Sequence, residues 1–565
     1  MCGTIAGRRR SRRRRREAVL VSGHFVSFLL KLLALVLLTA AGVVSMAPGP
    51  AGAVGVRAVA AGGAHTCALT ATGGVKCWGV GTSGQRGDAS TELRRYEPVD
   101  VCGNAACATP LTGATAITAG NAYSCALMEG GTVKCWGANA AGQLGNGQIT
   151  DQFSATPFPV DVCADATCSA PLSGVLTVAA GSLHTCALMR DGGVKCWGEN
   201  FTGQLGDNQA CGAIACAAPV DVCADAACAG RLRGVAALGL GERHSCALML
   251  GGGVKCWGDN TVGELGDGYG GFVSDSPFLR FRSVPGDVCQ EYEEEAARCT
   301  EAFSGARGIA AGFSHTCAIV ADGGVACWGW SGDGVLGDGF ACVDRTRPFP
   351  TFFCPTPTRV CQAFDEPAEL CREAFGGATA ITAGYGQTCA LIDAGRVMCW
   401  GQNAEHGGSG ACGGACLTPE PVCANVPCSR SLSGALVDAG NGHTCVVPPD
   451  MGLTCWGANF YGQLGAGVCC NDSRVPLAVV GLGPKPTPTA TATATSPLLT
   501  ATPIPSRTEP AATAVAPTVG ALPETGHGGG SGPSTAWVLP VALAGAGAAL
   551  AGCAARLVRR ERRRQ

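Results

Sequence analysis

Cys67-Ala68-Leu69-Thr70-Ala71-Thr72-Gly73-Gly74-Val75-Lys76-Cys77 decides how this chain is read. A short apolar run enters a pair of glycines and a second run returns, the pattern of two strands joined by a tight turn. Glycine supplies the positive φ that such turns require. Cys67 and Cys77 lie symmetrically about Thr72, so a hairpin sets them face to face. Directly opposed residues at a non-hydrogen-bonded site are roughly 4.5 Å apart at Cα, within reach of a disulfide.

Outward from this stretch the pattern is A-G-x-x-H-T-C-A-L, then G-G-V-K-C-W-G, then G-Q-L-G-D-G, and it occurs seven times. Its cysteines form the expected pairs Cys67–Cys77, Cys125–Cys135, Cys186–Cys196, Cys246–Cys256, Cys317–Cys327, Cys389–Cys399 and Cys445–Cys455. The ten-residue spacing never drifts, although the interval between repeats varies from 56 to 72 residues. The hairpin is therefore the rigid element and insertions fall elsewhere. A second series follows a Val-Cys step: Cys102–Cys107, Cys163–Cys168, Cys223–Cys228 and Cys423–Cys428, with the wider Cys289–Cys299 and Cys361–Cys371. These read as staples closing excursions, of which Gln290–Glu295 is expected to form a helical turn. Cys211–Cys216, Cys342–Cys354 and Cys412–Cys416 are further candidates, and the pairing of the adjacent Cys469 and Cys470 stays open. Zinc is the competing use of paired cysteines, but two thiolates per site without a partner pair do not make a closed zinc site.

The chain has 565 residues, with 86 glycines, 36 cysteines and only 6% aromatics, a turn-rich β composition. So many cysteines belong to an oxidising compartment, since a reducing cytosol would leave them as open thiols. The net charge of −2 is unevenly spread. Residues 1–53 hold 9 Lys/Arg against 1 acid and residues 526–565 hold 6 Arg against 1 acid, leaving 25 basic and 40 acidic residues between. An acidic body lacks the basic face that displaces counterions from phosphate, so nucleic acid is not an expected partner.

Both ends read as addresses. Arg8-Arg9-Arg10-Ser11 and five more arginines precede an apolar stretch from Val19 to Val44 and the small residues Ala51-Gly52-Ala53. That order makes 1–53 an export signal, with an uncleaved membrane anchor as the alternative. Near the other end Leu522-Pro523-Glu524-Thr525-Gly526 precedes an apolar segment, Ala536 to Val558, and a basic tail. This resembles the LPXTG cell-wall sorting signal of bacterial surface proteins, in which a sortase cleaves between Thr and Gly, here Thr525 and Gly526. The alternative is a plain transmembrane tail for 522–565; either way the body lies outside, because basic residues stay cytoplasmic. Residues 483–521, rich in Pro, Thr and Ala, form an extended, disordered stalk.

The repeat as a whole resembles that of the regulator of chromosome condensation family, with its His-Thr-x-Ala-Leu, Trp-Gly and Gly-Gln-Leu-Gly motifs. The resemblance covers residues 54–482 and implies an all-β, seven-bladed β-propeller of four-stranded antiparallel blades, here disulfide-rich. It further implies that Val475-Pro476-Leu477-Ala478-Val479-Val480 completes a blade with the strand near Val56–Ala60 and so closes the ring. The family's nucleotide-exchange activity on a nuclear GTPase is not expected to transfer to an exported body.

Two sets of repeated residues invite a chemical reading. His65, His184, His244, His315 and His443 share one repeat position, with Tyr123 and Gln387 in the other two repeats. Two replacements would break a metal ring, so these side chains are expected to anchor their hairpins by hydrogen bonds. Trp78, Trp136, Trp197, Trp257, Trp328, Trp400 and Trp456 likewise share a position, expected to pack blade against blade rather than stack on sugar. The loops carry Asn-Gly and Asp-Gly turn signals without the acid ladder of a calcium loop. No nucleophile elbow, phosphate loop or zinc-protease motif is present. The expected function is a non-enzymatic, cell-surface protein-binding or adhesion propeller, without metal or cofactor. Its expected partners are an extracellular protein or glycan, a sortase and the cell wall, with membrane contact through the C-terminal segment. The competing class is an extracellular hydrolase or lyase acting on polysaccharide through a propeller face.

Overall fold

The computed structural model describes residues 54–482 apart from 152–153, 213, 271–280, 294–297, 340–342, 345–350, 366–369, 403–414, 426–427, 451 and 469. Its first sheet holds β1 (Val56–Ala61), β2 (His65–Thr70), β3 (Val75–Val80) and β4 (Arg94–Asp100) in that order, each antiparallel to the next. The same sheet is built six more times, and in the fifth a short edge strand, Val343–Asp344, is added outside the fourth. These are the seven blades of a propeller.

The decisive stretch folds as its sequence dictates. Cys67 stands directly opposite Cys77 in the β2–β3 register, and Gly73 takes φ +80° while its N–H donates to Thr70 O at 3.0 Å. All seven hairpins repeat this register, with bonded cysteines 4.1 Å apart at Cα. The second series is bonded as well, at Cys102–Cys107, Cys163–Cys168, Cys223–Cys228, Cys423–Cys428, Cys289–Cys299 and Cys361–Cys371, and so is Cys211–Cys216. Cys354, Cys416 and Cys470 are disulfide-bonded too.

Every position of β2 is buried, because neighbouring blades cover both faces of the sheet. The core is accordingly divided among blade interfaces. In one cluster Cys67, Leu69, Val75 and Cys77 of the first blade surround Trp136 of the second. The seven repeated tryptophans are all buried, each in such an interface. Burying an aromatic side chain of this size withdraws roughly 150–250 Å² from water, so the packing expectation holds with a clear energetic reason.

Two expectations are corrected. Ser473–Ala478, which contains the start of the segment expected to pair with the N-terminal strand, instead pairs with Thr454–Gly457 and stays in the last blade. The first described strand is an inner one and every repeat runs from inner to outer edge, so seven sheets are complete without a borrowed strand. The ring closes by packing: Trp78 and Val56 enter a cluster with Cys445, Val447, Val479 and Leu482. The excursion at Gln290 is not helical either. Cys289–Glu293 pairs antiparallel with Arg298–Ala302, and Tyr292 leaves that ribbon to meet Tyr269 edge-on at 5.4 Å. A twin ribbon forms from Cys361–Asp365 and Leu370–Ala374. No helix among the described residues is long and apolar enough to cross a membrane. The export signal, the stalk and the sorting signal with Leu522–Gly526 lie outside the described residues.

Candidate functional site

The inner strand of each blade ends in the A-G-x-x-H turn, and the seven turns converge on one face. A Cβ on Gly62 would stand 2.3 Å from His65 Cε1 and 2.6 Å from Gly120 O in the next blade. Gly120, Gly181, Gly241, Gly312, Gly384 and Gly440 stand in the same relation to the blade that follows, and Gly440 meets Gly62 O at 2.3 Å to complete the circle. Backbone contact this close excludes any side chain.

The histidines hold neighbouring blades together rather than their own hairpins. His65 Nε2 meets Ser124 Oγ at 2.8 Å, His184 meets Ser245 at 2.9 Å, His244 meets Thr316 at 2.9 Å and His315 meets Thr388 at 2.8 Å. His443 meets Thr66 at 2.7 Å across the closure. The two replacements do the same work: Tyr123 donates to His184 O at 2.6 Å, and Gln387 Nε2 donates to Gly440 O at 3.2 Å. Burial lowers His65, His184 and His244 to about 3 and His315 to about 4, so all four imidazoles are neutral. A second tie runs beside them. Trp78 Nε1 donates to Gln463 O, Trp136 to Gln85 O, Trp197 to Gln143 O and Trp257 to Gln204 O, at 2.8–3.0 Å. In these four cases, and for Trp328 to Glu264 O and Trp400 to Val335 O at 2.9 Å, the loop after the third strand of one blade receives the indole of the next.

Inside the ring, the inner strands line an axial channel of about 300 Å³. Two residues before the glycine, Thr118, Thr382 and Asp438 reach across to backbone N–H groups of the following blade: Ala180, Ala439 and Ala61. Asp438 accepts from Ala61 N at 2.7 Å and Thr382 Oγ1 at 3.2 Å, and burial pushes it up to about 6 despite these bonds.

The residue after the glycine forms the channel's rim: Gly63, Asn121, Ser182, Glu242, Phe313, Tyr385 and Asn441. Backbone bonds join them around the mouth, including Glu242 N–H to Phe313 O at 3.2 Å and Asn121 N–H to Ser182 O at 3.2 Å. The rim is lopsided. On one side Asn441 Nδ2 donates to Asn121 Oδ1 at 3.3 Å, spanning the side-chain gap left by Gly63. On the other, the Phe313 and Tyr385 rings stack with centroids 4.3 Å apart and a 51° tilt, beside Glu242. Burial is the main force raising Glu242 to about 7; Arg243 opposes it, while Glu199 and Asp259 add to it. Among the exposed aromatics, Trp330 ends the third strand of the fifth blade, and Phe201 and Phe460 stand in the loops that follow the third strands of the third and seventh blades.

One group among the described residues brings metal-ligand atoms together, Asp207 with Cys211 and Cys216. The Cys211–Cys216 bond leaves no thiolate there to bind an ion, so the site does not fit zinc. The repeated positions stood out in the sequence, whereas the rim did not. Its signal was the x-x of A-G-x-x-H, where residue type changes from blade to blade while the framework around it repeats.

Comparison with known proteins agrees with this architecture. Models of the regulator of chromosome condensation (RCC1) repeat match residues 56–85, 114–143, 175–204, 235–264 and 306–335, and a further model of that repeat matches 130–188. The ultraviolet-B receptor UVR8 of Arabidopsis thaliana is 27% identical over 417 residues, covering 73% of this chain and 79% of that protein. The E3 ubiquitin-protein ligase HERC2 of Homo sapiens is 30% identical over 223 residues, 37% of this chain and 4% of that protein. Among solved structures, yeast RCC1 (Prp20), determined with Kap60 bound, superposes with a TM-score of 0.52 at 20% identity, covering 72% of this chain and 83% of that one.

Proposed function

We propose that this propeller of RCC1 repeats is a non-enzymatic binding module that works outside the cell and takes a protein partner on the face around the channel mouth. The carrying observation is the rim itself. Seven framework glycines converge there, yet the residues they present run from no side chain at Gly63 through amides to a carboxyl and an aromatic pair. Variation confined to the surface of a rigid scaffold is how a fold grafts recognition onto a constant frame. A receptor among the relatives supports a binding or regulatory role. An extracellular setting is supported by the bonding of every described cysteine and by the address-like ends of the chain.

The binding face is tested by immobilising the intact chain and offering it separate protein and polysaccharide fractions from the surface of its own cells. A Phe313→Ser/Tyr385→Ser variant of comparable melting temperature is expected to lose captured protein. Undiminished capture, or capture of polysaccharide alone, overturns the reading. Anchoring has its own test: Thr525→Ala should hold the chain in the membrane fraction, while the unchanged chain is released by wall-degrading enzyme with Thr525 as its last residue.

A further inference from the structure

We propose that Asn441 is a site of spontaneous deamidation, a self-modification that folding leaves open at the channel mouth while closing it at the chain's other Asn-Gly step. This stands whether or not the rim takes a protein partner. The two steps are Asn146-Gly147 and Asn441-Gly442. Asparagine is a labile side chain, and a following glycine makes it more so. With no Cβ in the way, the glycine nitrogen reaches the side-chain carbonyl carbon unobstructed. The reaction needs only water. The Gly442 nitrogen gives up its proton and bonds to Asn441 Cγ. The Cγ–Nδ2 bond breaks, ammonia leaves, and a five-membered succinimide is closed. Water then opens the ring at either carbonyl. Opening at Cγ leaves aspartate; opening at the main-chain carbonyl leaves isoaspartate, whose backbone runs through the side chain and is one carbon longer.

Hydrogen bonding separates the two steps. Gly147 N–H donates to Ala217 O of the next blade at 2.9 Å. Asn146 Oδ1 accepts from Asn139 Nδ2 at 3.1 Å and from Gln148 N–H at 3.3 Å. The attacking nitrogen and the carbonyl it must reach are therefore both held. Gly442 N–H donates to none of the described residues, and Asn441 and Gly442 are both partly exposed to water. Asn121 supplies an internal comparison, because it occupies the same rim position in the second blade but is followed by Ala122. The place of Asn441 gives its conversion an effect. Its Nδ2 donates to Asn121 Oδ1 at 3.3 Å across the mouth, and its N–H donates to Gly62 O at 3.3 Å across the seam between the seventh and first blades. Either product replaces the Nδ2 donor with a negative carboxylate oxygen. Isoaspartate also inserts a carbon beside Gly440, where even a Cβ would stand 2.3 Å from Gly62 O. The seam therefore registers the change as well as the rim.

The test is to hold the intact, oxidised chain at pH 8 beside a reduced, urea-unfolded sample and to follow both by peptide mapping. In the unfolded sample, Asn146 and Asn441 should convert at similar rates. In the folded chain Asn441 should keep converting, while Asn146 slows about fivefold or more, because its attack waits for at least one hydrogen bond to open. Gly442→Ala should bring conversion at Asn441 down to the rate of Asn121. That variant copies Ala64 and Ala122, which hold the same turn position in the first two blades, so the ring accommodates it. Equal conversion at Asn146 and Asn441 in the folded chain, or conversion at Asn441 no faster than at Asn121, overturns the site. Converted chains, separated from fresh ones on an anion-exchange column by their added negative charge, should be cut sooner at the seam in limited digestion. Digestion that conversion leaves unchanged overturns the coupling to the seam.

Discussion

At the scale of single residues, this ring is held by groups kept in the neutral form. Unfolded, a histidine takes its proton near 6.5; in the ring, His65, His184 and His244 resist it until about 3 and His315 until about 4. The unfolded chain therefore binds more protons below pH 6.5, and stability falls with pH from there down to the folded values. At pH 5 each such histidine costs about 2 kcal/mol relative to neutral pH. Thermal melts at pH 7 and pH 5 should show the loss, and His244→Gln, copying what Gln387 does in the sixth blade, should shrink it by one histidine's share. Glu264 behaves in the opposite sense. It stands where four other blades have glutamine, accepts Val262 N–H at 2.8 Å, and burial raises it to about 8. The folded form keeps a proton that the unfolded form sheds near 4.5, so stability falls as pH rises from 4.5 to 8. Glu264→Gln should stabilise the protein at pH 8 by up to a few kcal/mol and change little at pH 4. Calorimetry at the two pH values checks this. The histidines were readable as structural, but not as links between blades. In His-Thr-Cys the partner hydroxyl type sits beside the histidine in its own repeat, and only the closed ring shows that the hydroxyl used belongs to the next one.

At the scale of elements, two kinds of disulfide protect two kinds of structure. The hairpin cystines are buried between strands, whereas Cys107, Cys168 and Cys228 are exposed and sit at φ +48°, +49° and +49°. Exchange needs a thiolate to reach a sulfur, so access orders the reactions. Brief treatment with dilute reductant followed by alkylation and peptide mapping should label the exposed belt first and Cys67, Cys125 or Cys246 last. Removing one hairpin bond, as in Cys125→Ala/Cys135→Ala, should cost about 2–3 kcal/mol, less any strain relieved. The hairpin was legible because its whole logic is local: a fixed spacing, a glycine turn and two cysteines that must meet. The ribbon after Cys289 was not. Gln290-Glu291-Tyr292-Glu293 has no apolar alternation to announce a strand. Its strand state comes from antiparallel pairing with Arg298–Ala302, tied by the Cys289–Cys299 bond and the Tyr269–Tyr292 contact.

At the scale of the whole molecule, the number of blades could be counted from the repeats, but the phase of the ring could not. A periodic sequence can be divided at any strand, and only the position of the first folded strand decides whether the last blade must borrow one. Here it does not, so the closure depends on surface fit. Gly440→Ala would drive a Cβ to 2.3 Å from Gly62 O. That variant should lose on the order of 2 kcal/mol or more and become susceptible to proteolysis at the seam while the other interfaces stay closed, a difference that limited digestion with mass mapping would show. The chemistry of the rim escaped the reading for a related reason: a consensus discards the very positions that differ between blades.

The self-contained blades also determine how the ring would bear tension. Val56 and Leu482, near the two ends of the described body, lie in the same seam cluster. A pull between those ends loads that seam directly. Each disulfide between two described residues joins cysteines five or ten positions apart, and so none of these bridges the gap. The seam would part first and the blades would peel away one after another. Each would still withhold the contour length locked behind its staples, so under load the chain would lengthen in seven steps, each cut short by its cross-links.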